Sequence, residues 1–234
     1  MKKLLLIISA LTLLQVNLMS QEVDSLYSIG VDVNSRYVWR GTDFGASPSI
    51  QPCIEVSKYN LTLGVWGAYT TNMFAAQEAD LYLSYNIKDM VSVTVTDYFF
   101  PNETQRMDGY FTNWFDKDLS GHSFEAMLSF TYKNLSVMGA TMVYGADAVK
   151  SNGDRAYSTY LELGYTHKNI DYFIGASPGE GIYQARATGF NVVNLGLTGH
   201  KDLKITESFS LPISASLIVN PEAEKIFIVI GFSL

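Results

Sequence analysis

One cysteine, Cys53, in a chain of 234 residues excludes an intrachain disulfide and any thiolate-rich metal centre. Histidine is nearly as scarce. The three, His122, His167 and His200, follow no metal-ligand spacing, so no metal is expected. Charged residues make up only 17% of the chain, below the ~25% of ordinary soluble domains. Within that small share the 16 Lys and Arg are outnumbered by 23 Asp and Glu, which denies the protein an electrostatic grip on nucleic acid. Beyond the first 20 residues no apolar run approaches the ~18 residues of a spanning helix. Residues 147–154 lack calcium-loop order and residues 177–181 lack phosphate-loop order, and no cofactor is expected.

What the chain does have begins at its N-terminus. Lys2 and Lys3 precede an apolar run over residues 4–14 and a polar stretch that ends at Ser20. That order reads as a secretory signal peptide cleaved after Ser20, leaving residues 21–234 as a single domain. The 15 Tyr and 13 Phe then suit an exported, aromatic-rich β protein.

Residues 27–41, YSIGVDVNSRYVWRG, alternate with a period of two. Tyr27, Ile29, Val31, Val33, Tyr37 and Trp39 form one row, broken only by Ser35. The opposite row carries Asp32, Asn34, Arg36 and Arg40. This predicts a strand with one face for hydrocarbon and one for water. Similar alternation predicts twelve strands, at 27–41, 48–57, 61–70, 78–87, 91–100, 123–132, 135–144, 157–165, 170–176, 190–199, 209–219 and 225–234. The early turns, near Lys58, Lys88, Lys133 and His167, are two or three residues long and fall at one end. The longest connections, including residues 101–122, fall at the other. An even strand number with short periplasmic turns and long extracellular loops is the pattern of a transmembrane antiparallel up-and-down β-barrel in the bacterial outer membrane. A sandwich has no reason to alternate its loop lengths, and closure removes the exposed edges that a sandwich must hide. The last strand ends in the apolar row Ile226, Ile228, Ile230, Phe232 and Leu234. Its Phe232 and Leu234 resemble a signal for the barrel-insertion machinery, and it is expected to close against the first strand.

Parity assigns Asp32, Glu55, Glu78, Asp80, Glu125 and Glu162 to the lumen, with Arg36 and Arg40 as its cations. Arg36 is expected to bond one or more of these carboxylates, because unpaired charge in a narrow lumen is costly. The network either braces the barrel or forms a charged constriction that favours cationic or neutral solutes. Trp66, Tyr82, Tyr98, Met127, Met138, Met142, Tyr144, Tyr160 and Phe227 are expected to narrow the same interior. Asp97 falls in the lipid-facing row near a strand end, where interfacial depth tolerates a charge. The loop at 101–122 carries Tyr110, Trp114 and Phe115, which either fold inward, contact a ligand by stacking, or form an exposed aromatic rim. Catalysis on the lipid face would need a histidine beside a serine. His167 and His200 are expected in turns, and His122 has only Thr141 as a lipid-facing hydroxyl nearby, so no enzyme is expected.

The segments SRYVWRG at 35–41, PSIQP at 48–52 and LTLGVWGAY at 61–69 resemble the opening of the TorF-type porins. TDYFFP at 96–101, HSFEAMLSF at 122–130, STYLELGY at 158–165 and LPISASLIVNP at 211–221 fit the same pattern more loosely. The resemblance implies an outer-membrane barrel that passes small molecules, and it supplies no catalytic residues. The expected function is a porin-like channel with a narrow, net acidic lumen, in contact with outer-membrane lipids. The alternative is a non-conducting structural or adhesive barrel.

Overall fold

The computed structural model describes residues 26–72, 74–75, 77–101, 109–116, 120–186 and 188–234. The signal peptide expected at 1–20 lies outside these residues.

Twelve strands close an antiparallel up-and-down barrel. The wall consists of β1 (Tyr27–Asn34), β4 (Ser49–Lys58), β5 (Leu61–Thr70), β6 (Glu78–Ile87), β7 (Val91–Phe99), β8 (His122–Tyr132), β9 (Leu135–Gly145), β10 (Thr159–His167), β11 (Ile170–Ser177), β12 (Asn191–Lys204), β13 (Ser210–Asn220) and β14 (Lys225–Ser233). Two further strands, β2 (Val38–Trp39) and β3 (Thr42–Asp43), form a separate small hairpin. Period-two alternation puts the apolar rows outside, where Leu63, Leu83, Leu128, Val137, Leu163 and Ile228 lie exposed, and the polar rows inside.

The tight turns of one end use the left-handed backbone that two-residue hairpin loops require. Tyr59, Asn60, Lys88, Asp89, Lys133 and Lys168 all have φ between 50° and 66°. The start of β1 at Tyr27 and the C-terminal residue Leu234 lie at this same turn end. The barrel closes where β14 pairs with β1, Val33 lying opposite Phe232. Val31 and Leu234 exchange backbone hydrogen bonds of 3.0 and 2.9 Å, and Ser233 donates to Asp32 at 2.6 Å. Closure between first and last strands is thus as expected.

The first strand is shorter than residues 27–41. The wall ends at Asn34, and the chain then turns into the lumen as the β2–β3 hairpin. Arg40 and Gly41 form its turn with φ of 47° and 80°, the pair of positive values that a tight hairpin needs. A side chain at Gly41 would also collide with the Val193 carbonyl. Tyr37 and Trp39, expected against lipid, therefore face the interior, with Tyr37 only 2% exposed.

Two bulges shift parity elsewhere. Opposite Phe124 and Glu125, β9 carries one extra residue, so Tyr144 points outward against Phe124 and not into the lumen. Between Gly175 and Ala176 the register against β12 also slips by one. Val193 and Asn194 are consequently both buried. His200 lies within β12 and not in a turn; it bonds Asp171 at 2.8 Å.

Candidate functional site

The hairpin carries Arg40 to the centre of the loop-end half of the lumen. Its guanidinium grips Glu125 with two parallel bonds, Nη1 to Oε2 at 2.5 Å and Nη2 to Oε1 at 2.9 Å. The pair is buried on both sides, and bidentate geometry of this kind is what makes an arginine–carboxylate pair strong. Nη1 also donates to the Tyr183 hydroxyl. The cation rests over aromatic faces, 4.4 Å from the Trp39 centroid and 4.7 Å from that of Tyr160. Tyr98 and Tyr183 donate to Glu125 at 3.0 and 3.2 Å. Burial is the largest single influence and lowers the Arg40 pKa, but Glu125, through its charge and hydrogen bond, together with Tyr183 and Tyr98 outweighs it and holds the guanidinium above its ordinary value.

Trp39 ties this centre to a second one. It meets Tyr98 edge-on at 5.5 Å and Tyr183 at a tilt at 5.6 Å and packs against both buried clusters of the lumen, one around Met127, Met138 and Tyr160, the other around Tyr37, Trp66 and Tyr82. On that second side the Tyr37 hydroxyl donates to Glu78 at 2.6 Å. Burial and the Glu78 charge raise the Tyr37 phenol well above its usual value, so it stays a donor. Asp80 lies two residues along β6 from Glu78, on the same inner face and also buried. Its Oδ1 has no hydrogen-bond partner.

The same combination recurs along the lumen. Tyr82 donates to Glu55 at 2.6 Å, with Ser28 as a second donor at 3.1 Å. Its ring lies where a side chain at Gly64 would sit. Tyr160 donates to Glu162, which also accepts from Asn194 at 3.2 Å. Below these pairs, toward the turn end, the interior is lined by small hydroxyl residues: Ser84 bonds Thr94 at 2.9 Å and Thr198 bonds Ser216 at 2.9 Å.

The carboxylates expected inside are therefore inside, but their partners differ from expectation. Arg36 bonds none of them. It pairs with Asp43 across its own hairpin, with its side chain 40% exposed, because the chain has already left the wall at Ser35. Asp32 serves the closing seam. Tyr37, Trp39 and Tyr183 were not foreseen as lumen residues. The Arg40–Gly41 dipeptide, preceded by the break at Ser35, is the signal that could have found the hairpin.

A second polar site lies on the outer wall. His122, the first residue of β8, is fully buried although its row faces outward. Its Nδ1 lies 3.0 and 2.9 Å from the Asp97 oxygens and its Nε2 lies 2.9 Å from the Phe111 carbonyl. Trp114 stacks on the ring at 4.0 Å, with Phe99 on it at 4.6 Å. Depth alone does not carry Asp97; a histidine and a cover of aromatic rings do. Among the described residues of the aromatic loop none constricts the lumen: Phe111 and Trp114 pack on the outer His122, and Tyr110 and Phe115 are exposed.

A comparison with protein-family models found no match, and neither did a search of the curated proteins.

Proposed function

We propose that this barrel is a porin-like channel of the bacterial outer membrane, for passive passage of small solutes through a narrow, net acidic lumen that the inward hairpin of residues 35–46 occludes at rest. The observation that carries the reading is the lumen itself: Glu55, Glu78, Asp80, Glu125 and Glu162 line it, and one buried arginine is set against them. A barrel that only braced a membrane would have no use for such an interior. The occlusion comes from a hairpin threaded inward, not from the wall. A barrel of twelve strands lies between the filled eight-stranded kind and the open sixteen-stranded pore.

The exposed apolar rows support insertion, because a belt of that extent is unsuited to water. In this reading the turn end faces the periplasm and the insertion machinery reads Phe232 and Leu234. The TorF-type resemblance agrees with it. No catalysis is assigned, since both nitrogens of His122 are already engaged by Asp97 and Phe111. The seated hairpin favours the second reading, a non-conducting structural or adhesive barrel.

Planar-bilayer recording separates the two. The wild type is expected to open rarely and with cation preference, and a variant with residues 36–45 replaced by a short Gly-Ser linker to stay open with the same preference. A linker variant that folds and inserts but carries no current would refute the channel.

A further inference from the structure

The geometry points to the Glu125 clamp as a recognition site for small organic cations of guanidinium or alkylammonium type, with Arg40 as its resident, self-supplied ligand. This rests on reading the lumen as a solute path. Three observations carry it.

The first is the construction of the clamp. A carboxylate offers two oxygens in the plane of the guanidinium, and Tyr98 and Tyr183 hold that carboxylate from behind. The faces of Tyr160 and Tyr183 lie over the cation at 4.7 and 5.5 Å. In-plane carboxylate with aromatic faces is the arrangement that selects delocalised or alkylated cations over hydrated metal ions. Of its rings only Trp39 belongs to the hairpin, so the rest of the clamp stays in the wall and in the loop bearing Tyr183 when Arg40 leaves.

The second is repetition. Glu55 with Tyr82, Glu78 with Tyr37 and Glu162 with Tyr160 each pair a lumen carboxylate with a tyrosine hydroxyl. Their hydrogen-bond partners are hydroxyl and amide groups, not cations. A network built only for rigidity would neutralise its charges. Here one Tyr–carboxylate unit is filled by the protein's own guanidinium, and the others stand along the lumen beside it. The third is Asp80, 5% exposed, whose Oδ1 is buried without a partner beside Glu78. That oxygen is an acceptor with no donor.

The test empties the clamp and refills it. Thermal unfolding of the folded barrel in detergent is followed by its shift in gel mobility, for Arg40→Ala and Arg40→Gln, each alone and combined with Glu125→Gln. The probes are methylguanidinium, tetramethylammonium, and methylurea as a neutral isostere, all at constant ionic strength. Methylguanidinium and tetramethylammonium should raise the midpoint of Arg40→Ala in a saturable way. The apparent affinity for methylguanidinium should exceed that for methylurea about tenfold or more, as a charge-assisted pair requires. The effect should vanish with Glu125→Gln. Arg40→Gln gives the same comparison if Arg40→Ala does not fold. Equal shifts with methylurea, or shifts that survive Glu125→Gln, would overturn the assignment. Bilayer current carried by choline reads the channel separately. Cation-specific melting without current keeps the clamp and removes the path; current without cation-specific melting removes the clamp.

Discussion

Replacing His122 should show that the outer wall tolerates polarity only as a matched pair. Both ring nitrogens face acceptors: Asp97 at 2.9 and 3.0 Å and the Phe111 carbonyl at 2.9 Å. A carbonyl cannot donate, so Nε2 must carry hydrogen. The proton between Nδ1 and Asp97 then makes the dyad neutral as a whole, which suits its place in the apolar outer row. His122→Phe keeps the ring stack with Trp114 but leaves the Asp97 carboxylate buried without its donor. Losing one partner of a buried charge pair costs about 3–5 kcal/mol. Adding Asp97→Leu should restore most of that loss, because two apolar groups of similar shape need no donor or acceptor on this face. Asp97→Asn should cost under about 1 kcal/mol, since its amide can donate to Nδ1 while Nε2–H keeps the Phe111 carbonyl.

Urea-induced unfolding in lipid vesicles, followed by tryptophan fluorescence, measures all four proteins. The order of stability should be wild type, then Asp97→Asn, then the double variant, with His122→Phe well below. If the double variant is no more stable than His122→Phe, the dyad is not a coupled pair and the cover of Phe111 and Trp114 is what holds the wall. If Asp97→Asn falls as far as His122→Phe, the proton count is wrong.

Four further outcomes follow from particular contacts. Arg36→Ala should change stability by less than about 1 kcal/mol, because the Arg36 side chain is 40% exposed and Asp43 keeps the backbone amides of Gly45 and Ala46, and bilayer current should match the wild type. Gly41→Ala should unseat the hairpin, since the backbone is left-handed and the Val193 carbonyl occupies the space of a side chain; a loss above about 1 kcal/mol and more frequent channel openings are expected. Cys53, only 4% exposed inside the lumen, should resist maleimide in the folded barrel and react fully in urea. Deleting Leu234 removes both backbone bonds to Val31 at the closing seam, and the yield of folded barrel on gels should drop.

Alternation made the wall legible. In Leu61–Thr70 and Glu78–Ile87, for example, the large side chains lie on the face that their parity assigns, because a period-two strand with one apolar row has only one way to stand in the wall of a closed barrel. Two kinds of feature escaped. A bulge adds one residue and leaves no compositional mark, so the parity that puts Tyr144 in the lumen fails beyond the bulge in β9, and the start of β12, where the alternation is unclear, holds the second bulge. The hairpin escaped because Tyr37 and Trp39 continue the odd aromatic row past the point where the chain has left the wall. Residues that suit a lipid interface equally suit a packed lumen. The carboxylates were recognisable because charge cannot sit on the apolar face unaided, and Asp97, the one that does, brought His122 with it.

In the proposed channel, the position of Trp39 argues that opening is concerted. Its ring touches Tyr98 and Tyr183 on one side and Phe44 on the other, and it alone packs against both buried clusters together with its own hairpin. Arg40 next to it cannot move without breaking both bonds to Glu125, nor Gly41 without losing the Asn220 amide at 3.2 Å. A partial withdrawal would leave a buried carboxylate unpaired and two aromatic clusters unfilled at once, so intermediate positions are worse than either end. Single-channel traces should therefore show closed and fully open levels without sublevels. Truncating Trp39 to alanine, which uncouples the two clusters while leaving the Arg40 pair intact, should introduce intermediate levels. A wild type that opens in graded steps would mean that the hairpin yields piecemeal and that Trp39 does not join the two halves.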